Sequence, residues 1–456
     1  MKLNNFCITS KTSLINCLNL FKKNHVGEAI VINSSNKMLG IIAEADIRNL
    51  IIQGFGINDK IGDKYNKNPI LIKDKFTDEN KINLLSNPEF QKKDPKIIPI
   101  IDKKNKLKDL LICDEMRLIS DIKSVKPKKS IKKVLIIGGA GYIGSLLTEI
   151  LIKNNYKTIV FDKFIYSFDS LTKMRKNNNL KIIKSDTRDI AALYMAIKDA
   201  DAVVHLGELV GDPMCSIDPD LTYSINYLAT KNICNICKDL GVNNFLYVSS
   251  CSVYGSQTNF GDLVEQSSLN PQSIYAKLKI FCEKAILEAK SKNFKPCILR
   301  LGTVFGISHR PRFDLVINIL TANAFKNKRI TINGGNQWRP FVHVYDVANT
   351  INIIINKNFK KCSGEIFNIS SFNMKISSIS DYLKKIINKL KIKTLVNNLD
   401  KRNYQVNSTK AIKAGIFKPK RKLEDGIDEM INFLKKRKNF DYKNKKYINY
   451  LNIDQF

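Results

Sequence analysis

The sequence predicts an α/β protein: a doubly wound parallel sheet with a smaller C-terminal lobe, preceded by a smaller α/β unit. Three observations carry that expectation. From Ile131 onward short apolar runs alternate with helical patterns, one of these runs breaks directly into a glycine-rich turn, and residues 1 to about 117 contain two similar halves.

The glycine turn organises the chain. Lys133-Val134-Leu135-Ile136-Ile137-Gly138-Gly139-Ala140-Gly141-Tyr142-Ile143-Gly144 reads as a buried strand, a tight turn and a helix start. Gly138 can take backbone angles closed to other residues, Gly141 lets phosphates approach the main chain, and Gly144 lets the helix pack closely on the strand. The free N–H groups at that helix start, around Tyr142 and Ile143, suit a pyrophosphate. Asp162 closes the next apolar run, Thr158 to Phe161. A carboxylate there accepts hydrogen bonds from an adenosine ribose and repels a 2′-phosphate, so the expected cofactor of this Rossmann-type domain is NAD. Strand before, helix after and acid at the next strand end separate this reading from a glycine turn without a ligand.

Further strands are expected at Leu180 to Asp186, Asp201 to Leu206, Asn244 to Ser250 and Lys295 to Leu301. Ligands of such sheets sit at the carboxyl ends of the strands, which puts Gly138, Asp162, Asp186, Leu206 and Ser250 on one rim. The dinucleotide domain is read as 131–306 and a substrate lobe, with some return to the sheet, as 307–437. The tail, 438–456, is rich in Lys, Asn and Tyr, and either disorder or docking fits it.

A formal net charge of +33 would ordinarily raise nucleic acid as a partner. Here the lysines are scattered through every segment among abundant Asn and Ile, so no nucleic acid is expected, though anionic substrates feel a favourable field. Cys234 and Cys237 form the sole CxxC among ten cysteines, and no second pair or nearby histidine completes a metal site. Reduced, mostly buried thiols and no metal are expected. No segment offers about 18 uninterrupted apolar residues and the N-terminus lacks the apolar core of a signal peptide, so the expectation is a cytoplasmic protein with no membrane partner.

Residues 1–117 give helix, strand, turn, strand and helix twice: Ser13 to Phe21, Glu28 to Asn33 and Met38 to Asp46, then a helix near Glu79 to Leu85, Ile97 to Asp102 and Lys106 to Ile112. This order resembles a tandem pair of cystathionine-β-synthase-type (CBS) domains. The resemblance implies regulation of the attached enzyme by an adenine nucleotide, with Asp46 matching the ribose-binding aspartate. Ala43 replaces the family's usual threonine, and the second half carries Asp109, Ile112 and Glu115 at the corresponding positions. A unit that only dimerises or braces the enzyme is the alternative. Polar residues 118–130 read as a linker.

Tyr275-Ala276-Lys277-Leu278-Lys279 opens a helix with Tyr275 and Lys279 on one face. An ammonium beside a phenol favours the phenolate and suits it to act as a general base. The same spacing recurs at Tyr194/Lys198, Tyr227/Lys231 and Tyr442/Lys446, but only the pair at 275 follows a strand that ends in serines on the cofactor rim.

With these motifs in order, residues 131 to about 437 resemble an extended short-chain dehydrogenase/reductase of the nucleotide-sugar epimerase/dehydratase group. The matching residues are the three glycines, Asp186-Thr187-Arg188-Asp189, Asn226, Ser249 to Gly255, Tyr275 to Lys279, Leu299-Arg300 and Trp338 to Val347. The resemblance implies that Asp162 binds the adenosine ribose, while Asp186, Thr187 and Leu206 belong to the cofactor site. It implies that Tyr275 is the general base, that Lys279 holds the nicotinamide ribose, that Ser250 binds the reacting sugar oxygen and that Asn226 supports the active site. Arg339 and Arg402 would clamp the substrate diphosphate, a solvated surface arginine being the alternative for Arg402. Thr303 stands where 4-epimerases commonly carry asparagine, and Cys251 and Ser252 stand where 4,6-dehydratases carry an acidic pair. Glu208 departs from the small apolar residues usual at its position.

The expectation is an epimerase that converts a nucleotide-diphosphate hexose at carbon 4, working as a homodimer. A dehydrogenase or ketoreductase using the same residues, and a non-catalytic nucleotide sensor, are the alternatives.

Overall fold

The computed structural model describes residues 3–455, apart from residues 25, 74–94, 115–116, 119–130, 258–261, 292–293 and 396–401. The chain divides into two compact units, Met1–Ser124 and Val125–Phe456.

In the larger unit seven parallel strands form one sheet: β1 Lys133–Ile137, β2 Lys157–Asp162, β3 Leu180–Lys184, β4 Ala202–His205, β5 Asn244–Ser250, β6 Cys297–Leu301 and β7 Ile366–Ile369. Their order is β3-β2-β1-β4-β5-β6-β7, so the chain reverses its direction of travel between β1 and β4. That reversal opens a crevice at the strands' carboxyl ends. Runs such as Val134 to Ile137, Val203-Val204 and Phe245 to Val248 are buried because helices cover both faces. Each expected strand is present, shifted at its ends by no more than two residues.

Helix α1, Tyr142–Lys153, follows β1 through the glycine turn. Gly138 has φ +83°, and a Cβ on it would fall 2.7 Å from the backbone of Gly207. A Cβ on Gly144 would fall 2.2 Å from the carbonyl oxygen of Gly138, so glycine there sets how closely α1 approaches β1. Helix α2, Ile274–Glu288, starts at Ser273, whose hydroxyl accepts from the Ala276 amide at 3.2 Å.

Beyond β6 the chain builds a lobe around the strands Thr303–Phe305, Trp338–His343 and Phe372–Lys375, with a separate parallel pair, Arg329–Asn333 and Lys391–Leu395. The β7 strand interrupts this lobe and returns to the sheet. Of the two expectations for the tail, the structure shows docking: Phe440, Tyr442 and Tyr447 gather round Phe313, whose amide donates to the Tyr447 carbonyl at 2.9 Å.

The smaller unit repeats itself. Cys7–Ile8 pairs parallel with Glu28–Ile32, which pairs antiparallel with Met38–Ala43; Ile72–Lys73 likewise pairs parallel with Ile97–Ile101, which pairs antiparallel with Leu107–Asp114. Even the turns match. Asn33 Oδ1 accepts from the Ser35 and Lys37 amides, and Asp102 Oδ1 accepts from those of Lys104 and Lys106. The halves also exchange hydrogen bonds, Met38 N to Asn105 O and Leu107 N to Asn36 O. The helix expected near Glu79, residue Glu115 and nearly all of the linker lie outside the described residues. Among the described residues nine cysteines are free, eight of them buried, and no helix is long and apolar enough to cross a membrane.

A buried ion pair fastens α2 to the sheet. Arg300 on β6 lays Nε and Nη2 on the Glu283 carboxylate at 3.0 and 2.6 Å, and its Nη1 reaches the Tyr254 hydroxyl at 2.9 Å. Removing one partner strands the other charge in the core. Arg300→Met is therefore expected to cost about 3–5 kcal/mol in denaturant unfolding, and the double change Arg300→Met/Glu283→Leu to cost distinctly less than the sum of the single changes.

Candidate active site

One cavity runs along the carboxyl ends of the strands. Gly138, Gly141, Tyr142, Ile143, Gly144, Asp162, Asp186, Thr187, Leu206, Ser250, Tyr275, Lys279 and Thr303 all line it. A neighbouring cavity holds Arg339 and Arg402 and shares Thr303 with the first. Residues from the sheet, from α2 and from the lobe thus meet around one crevice.

At the adenosine end, Asp162 is fixed by the turn it faces: Oδ2 accepts from the Ala140 amide at 2.9 Å and Oδ1 from the Phe164 amide at 2.8 Å. Burial pushes its carboxyl up, against those two amides. Asp186 differs. Burial again raises its carboxyl, but Arg188, at 2.7 and 2.9 Å, and Lys163, at 3.0 Å, hold it well below the usual carboxylate range.

At the other end stands a buried ion pair between Lys279 and Glu208, 5% and 3% exposed. The Lys279 ammonium also donates to the Val248 carbonyl at 2.6 Å and lies 5.7 Å from the centre of the Tyr275 ring. Burial works to strip its proton, yet Glu208 holds the ammonium charged. The other carboxylate oxygen of Glu208 accepts from the Tyr247 hydroxyl at 2.8 Å and from Thr230 Oγ1 at 3.3 Å, and Thr230 in turn meets His205 Nε2 at 2.8 Å. Burial lowers His205 to about 4, which keeps its ring neutral at physiological pH.

Tyr275 feels these charges in opposition. Burial pushes its phenol up to about 12, with Lys279 pulling it down and Glu208 pushing it up. The Ser250 hydroxyl accepts from the Ser252 amide at 3.1 Å on the same cavity wall.

Asn226 is not among the lining residues. It sits on a π-helical turn, Tyr223–Leu228, and clasps the backbone of Leu209 with two 2.8 Å hydrogen bonds. Its place is behind the loop that carries Glu208. Arg402, its side chain 34% exposed, pairs with Asp212 at 2.9 Å, and both line the second cavity. Arg339 is buried and donates to the Trp338 and Arg402 carbonyls. In the separate N-terminal unit, Asp46 Oδ2 accepts from the Ala43 amide at 2.8 Å, capping the helix Glu44–Ile52.

The sequence reading left Glu208 without an account, and its partner explains it. Also missed were Arg310, Arg312 and Asn449, which line the cavity from the lobe and the tail. The run Arg310-Pro311-Arg312 was the available signal.

A cavity of this construction, with a glycine-turn helix start at one end and a tyrosine and lysine one helical turn apart at the other, defines a dinucleotide-dependent enzyme of the short-chain dehydrogenase/reductase type. Comparison with known proteins narrows it. Residues 134–370 match the model of the NAD dependent epimerase/dehydratase family, so the chain belongs to that family, and NAD is its cofactor. It is 32% identical to dTDP-D-glucose 4,6-dehydratase of Dictyostelium discoideum, over 57% of this chain and 62% of that protein. It is 29% identical to human sterol-4-alpha-carboxylate 3-dehydrogenase, decarboxylating, over 52% of this chain and 60% of that protein. The chain thus spans about three fifths of the length of both. Among solved structures, UDP-glucuronic acid 4-epimerase from Bacillus cereus, in complex with UDP-glucuronic acid and NAD, is 25% identical with a TM-score of 0.61, covering 67% of this chain and 99% of that one.

Replacing Glu208 with Gln removes the charge that opposes Lys279 in setting Tyr275. In any reaction where Tyr275 is the base, the acidic limb of the kcat profile is expected to move to lower pH by roughly one unit, measured from pH 6 to as far above pH 9 as the protein stays folded. An unmoved limb would show that Glu208 does not act on Tyr275.

Proposed function

We propose that the chain is an NAD-dependent nucleotide-sugar epimerase acting at carbon 4 of a hexose through a transient keto sugar, as a homodimer in the cytoplasm. The observation that carries this reading is the set of Ser250, Tyr275 and Lys279 on one cavity wall with no carboxylic acid immediately after Ser250. Elimination of water across carbons 4 to 6 needs a proton donor for the departing hydroxyl. Cys251 stands there instead, buried against the Arg300 carbonyl at 3.2 Å with its thiol pushed far up by burial, followed by the buried Ser252 hydroxyl.

The glycine cradle and Asp162 suit NAD, which when bound supplies a hydride acceptor and, once reduced, a donor. Tyr275 takes the proton of the sugar's 4-hydroxyl while the hydride departs from carbon 4, and Ser250 holds the reacting oxygen. Lys279 keeps the phenolate accessible by its charge. The keto sugar turns over beside Tyr275 while Arg339 and Arg402 hold its diphosphate. With the sugar turned, Tyr275 would give its proton back to the 4-oxygen as the reduced cofactor supplied hydride to the opposite face.

Net oxidation is the second reading, favoured by the similarity to the human sterol dehydrogenase. Incubating the protein with NAD and a panel of UDP-, dTDP-, GDP- and CDP-hexoses separates the two. A new epimer by NMR with no net NADH supports epimerisation, and accumulating NADH absorbance supports dehydrogenation. Tyr275→Phe is expected to lower turnover about 10²- to 10⁴-fold while leaving NAD affinity within about twofold.

Residues 1–117 are proposed as a tandem CBS-like module that takes an adenine nucleotide at Asp46; the repeated strand order and paired turns support this reading. Titrating ATP, AMP and S-adenosylmethionine against thermal stability is expected to raise the melting temperature with at least one of them. Asp46→Ala is expected to abolish that rise, and no shift with any ligand would reject the proposal.

A further inference from the structure

Two buried arginines flanking Pro311 line the cofactor cavity, and their charges are answered differently. Arg312 lays Nε and Nη2 on the two oxygens of Asp314 at 3.0 and 2.7 Å. Arg310, 4% exposed, hydrogen-bonds to no carboxylate among the described residues. Its Nη1 donates to Asn449 Oδ1 at 2.8 Å and its Nε to the Lys446 carbonyl at 3.2 Å. The guanidinium lies 3.6 Å from the centre of the Tyr166 ring, and Nη2 has no hydrogen-bond partner among the described residues.

Asp162 and Asp314 act on Arg310 only through space, and its hydrogen-bond partners are neutral; a cation buried in this way costs free energy that an anion brought into the cavity offsets. The same cavity contains Gly141 and Tyr142 at the start of the twelve-residue helix α1, a second source of positive potential. Together they favour an anion with more than one charged oxygen to share between them.

We propose that Arg310 supplies the counter-charge to a diphosphate seated at the start of α1, its Nη2 donating to a phosphate oxygen, and that Lys446 and Asn449 of the C-terminal segment hold the guanidinium in place for it. The assignment rests on this cavity being the cofactor's. Both the dinucleotide and a nucleotide-sugar carry a diphosphate. The dinucleotide's is the source chosen here, because Arg339 and Arg402 already face the second cavity while Arg310 shares the first with Asp162.

The test is calorimetric titration of NAD, adenosine and UDP into the nucleotide-free full chain, as wild type, Arg310→Gln and Arg310→Lys. Arg310→Gln is expected to weaken NAD about 10- to 100-fold and adenosine less than about threefold, with Arg310→Lys recovering part of the loss. Equal losses for NAD and adenosine would assign Arg310 a purely structural role, and a loss confined to UDP would assign it to the substrate; either overturns the proposal. A wild type that binds no NAD would remove the cofactor reading and the proposal with it. If Arg310→Gln does not fold, hydrogen exchange of residues 445–452 in the wild type decides: protection by NAD beyond that given by adenosine is expected, and equal protection overturns the proposal.

Discussion

A buried ammonium group has to be answered by a carboxylate, and Lys279 is answered by Glu208. Much of the site is arranged around that pair. Tyr275, Lys279 and Glu283 follow one another at four-residue intervals along one face of α2, and the last two each enter a buried ion pair, one with the loop after β4 and one with β6. The helix that carries the tyrosine is thereby tied to both sides of the crevice. Asn226, Tyr247 and Thr230 serve the same end from behind, two by bonding the Glu208 carboxylate and one by clasping the backbone beside it.

The pairing sets a compromise. Glu208 keeps Lys279 charged where burial alone would discharge it, and it also blunts the effect of that charge on the Tyr275 phenol. A small apolar residue in its place would leave more of the lysine's field for the tyrosine and less to keep the lysine charged.

Much of the sheet was legible because Val- and Ile-rich runs bounded by turn residues are what a strand buried on both faces requires; Asn244–Ser250 coincides with its expected limits. The glycine turn and the Tyr275 helix were legible because their chemistry is local. Glu208 was not, because its partner lies 71 residues away and charge pairing at that range leaves no periodic trace. Arg310 was illegible for the opposite reason: what distinguishes it from Arg312 is a carboxylate it lacks, which only a folded chain reveals. The docked tail depends on aromatic contacts between Phe313 and residues near 440, again too distant to read.

The strand Ile366–Ile369 sits at the sheet's edge beside β6, yet the chain reaches it only after building much of the lobe, and then leaves for the lobe again at Phe372. Sheet and lobe are therefore stitched together twice and are not separable modules. Protein engineers seeking a new sugar specificity cannot exchange the lobe as a single cassette. A working chimera needs two grafts, one starting after Leu301 and one after Ile369, with the edge strand retained from the parent between them.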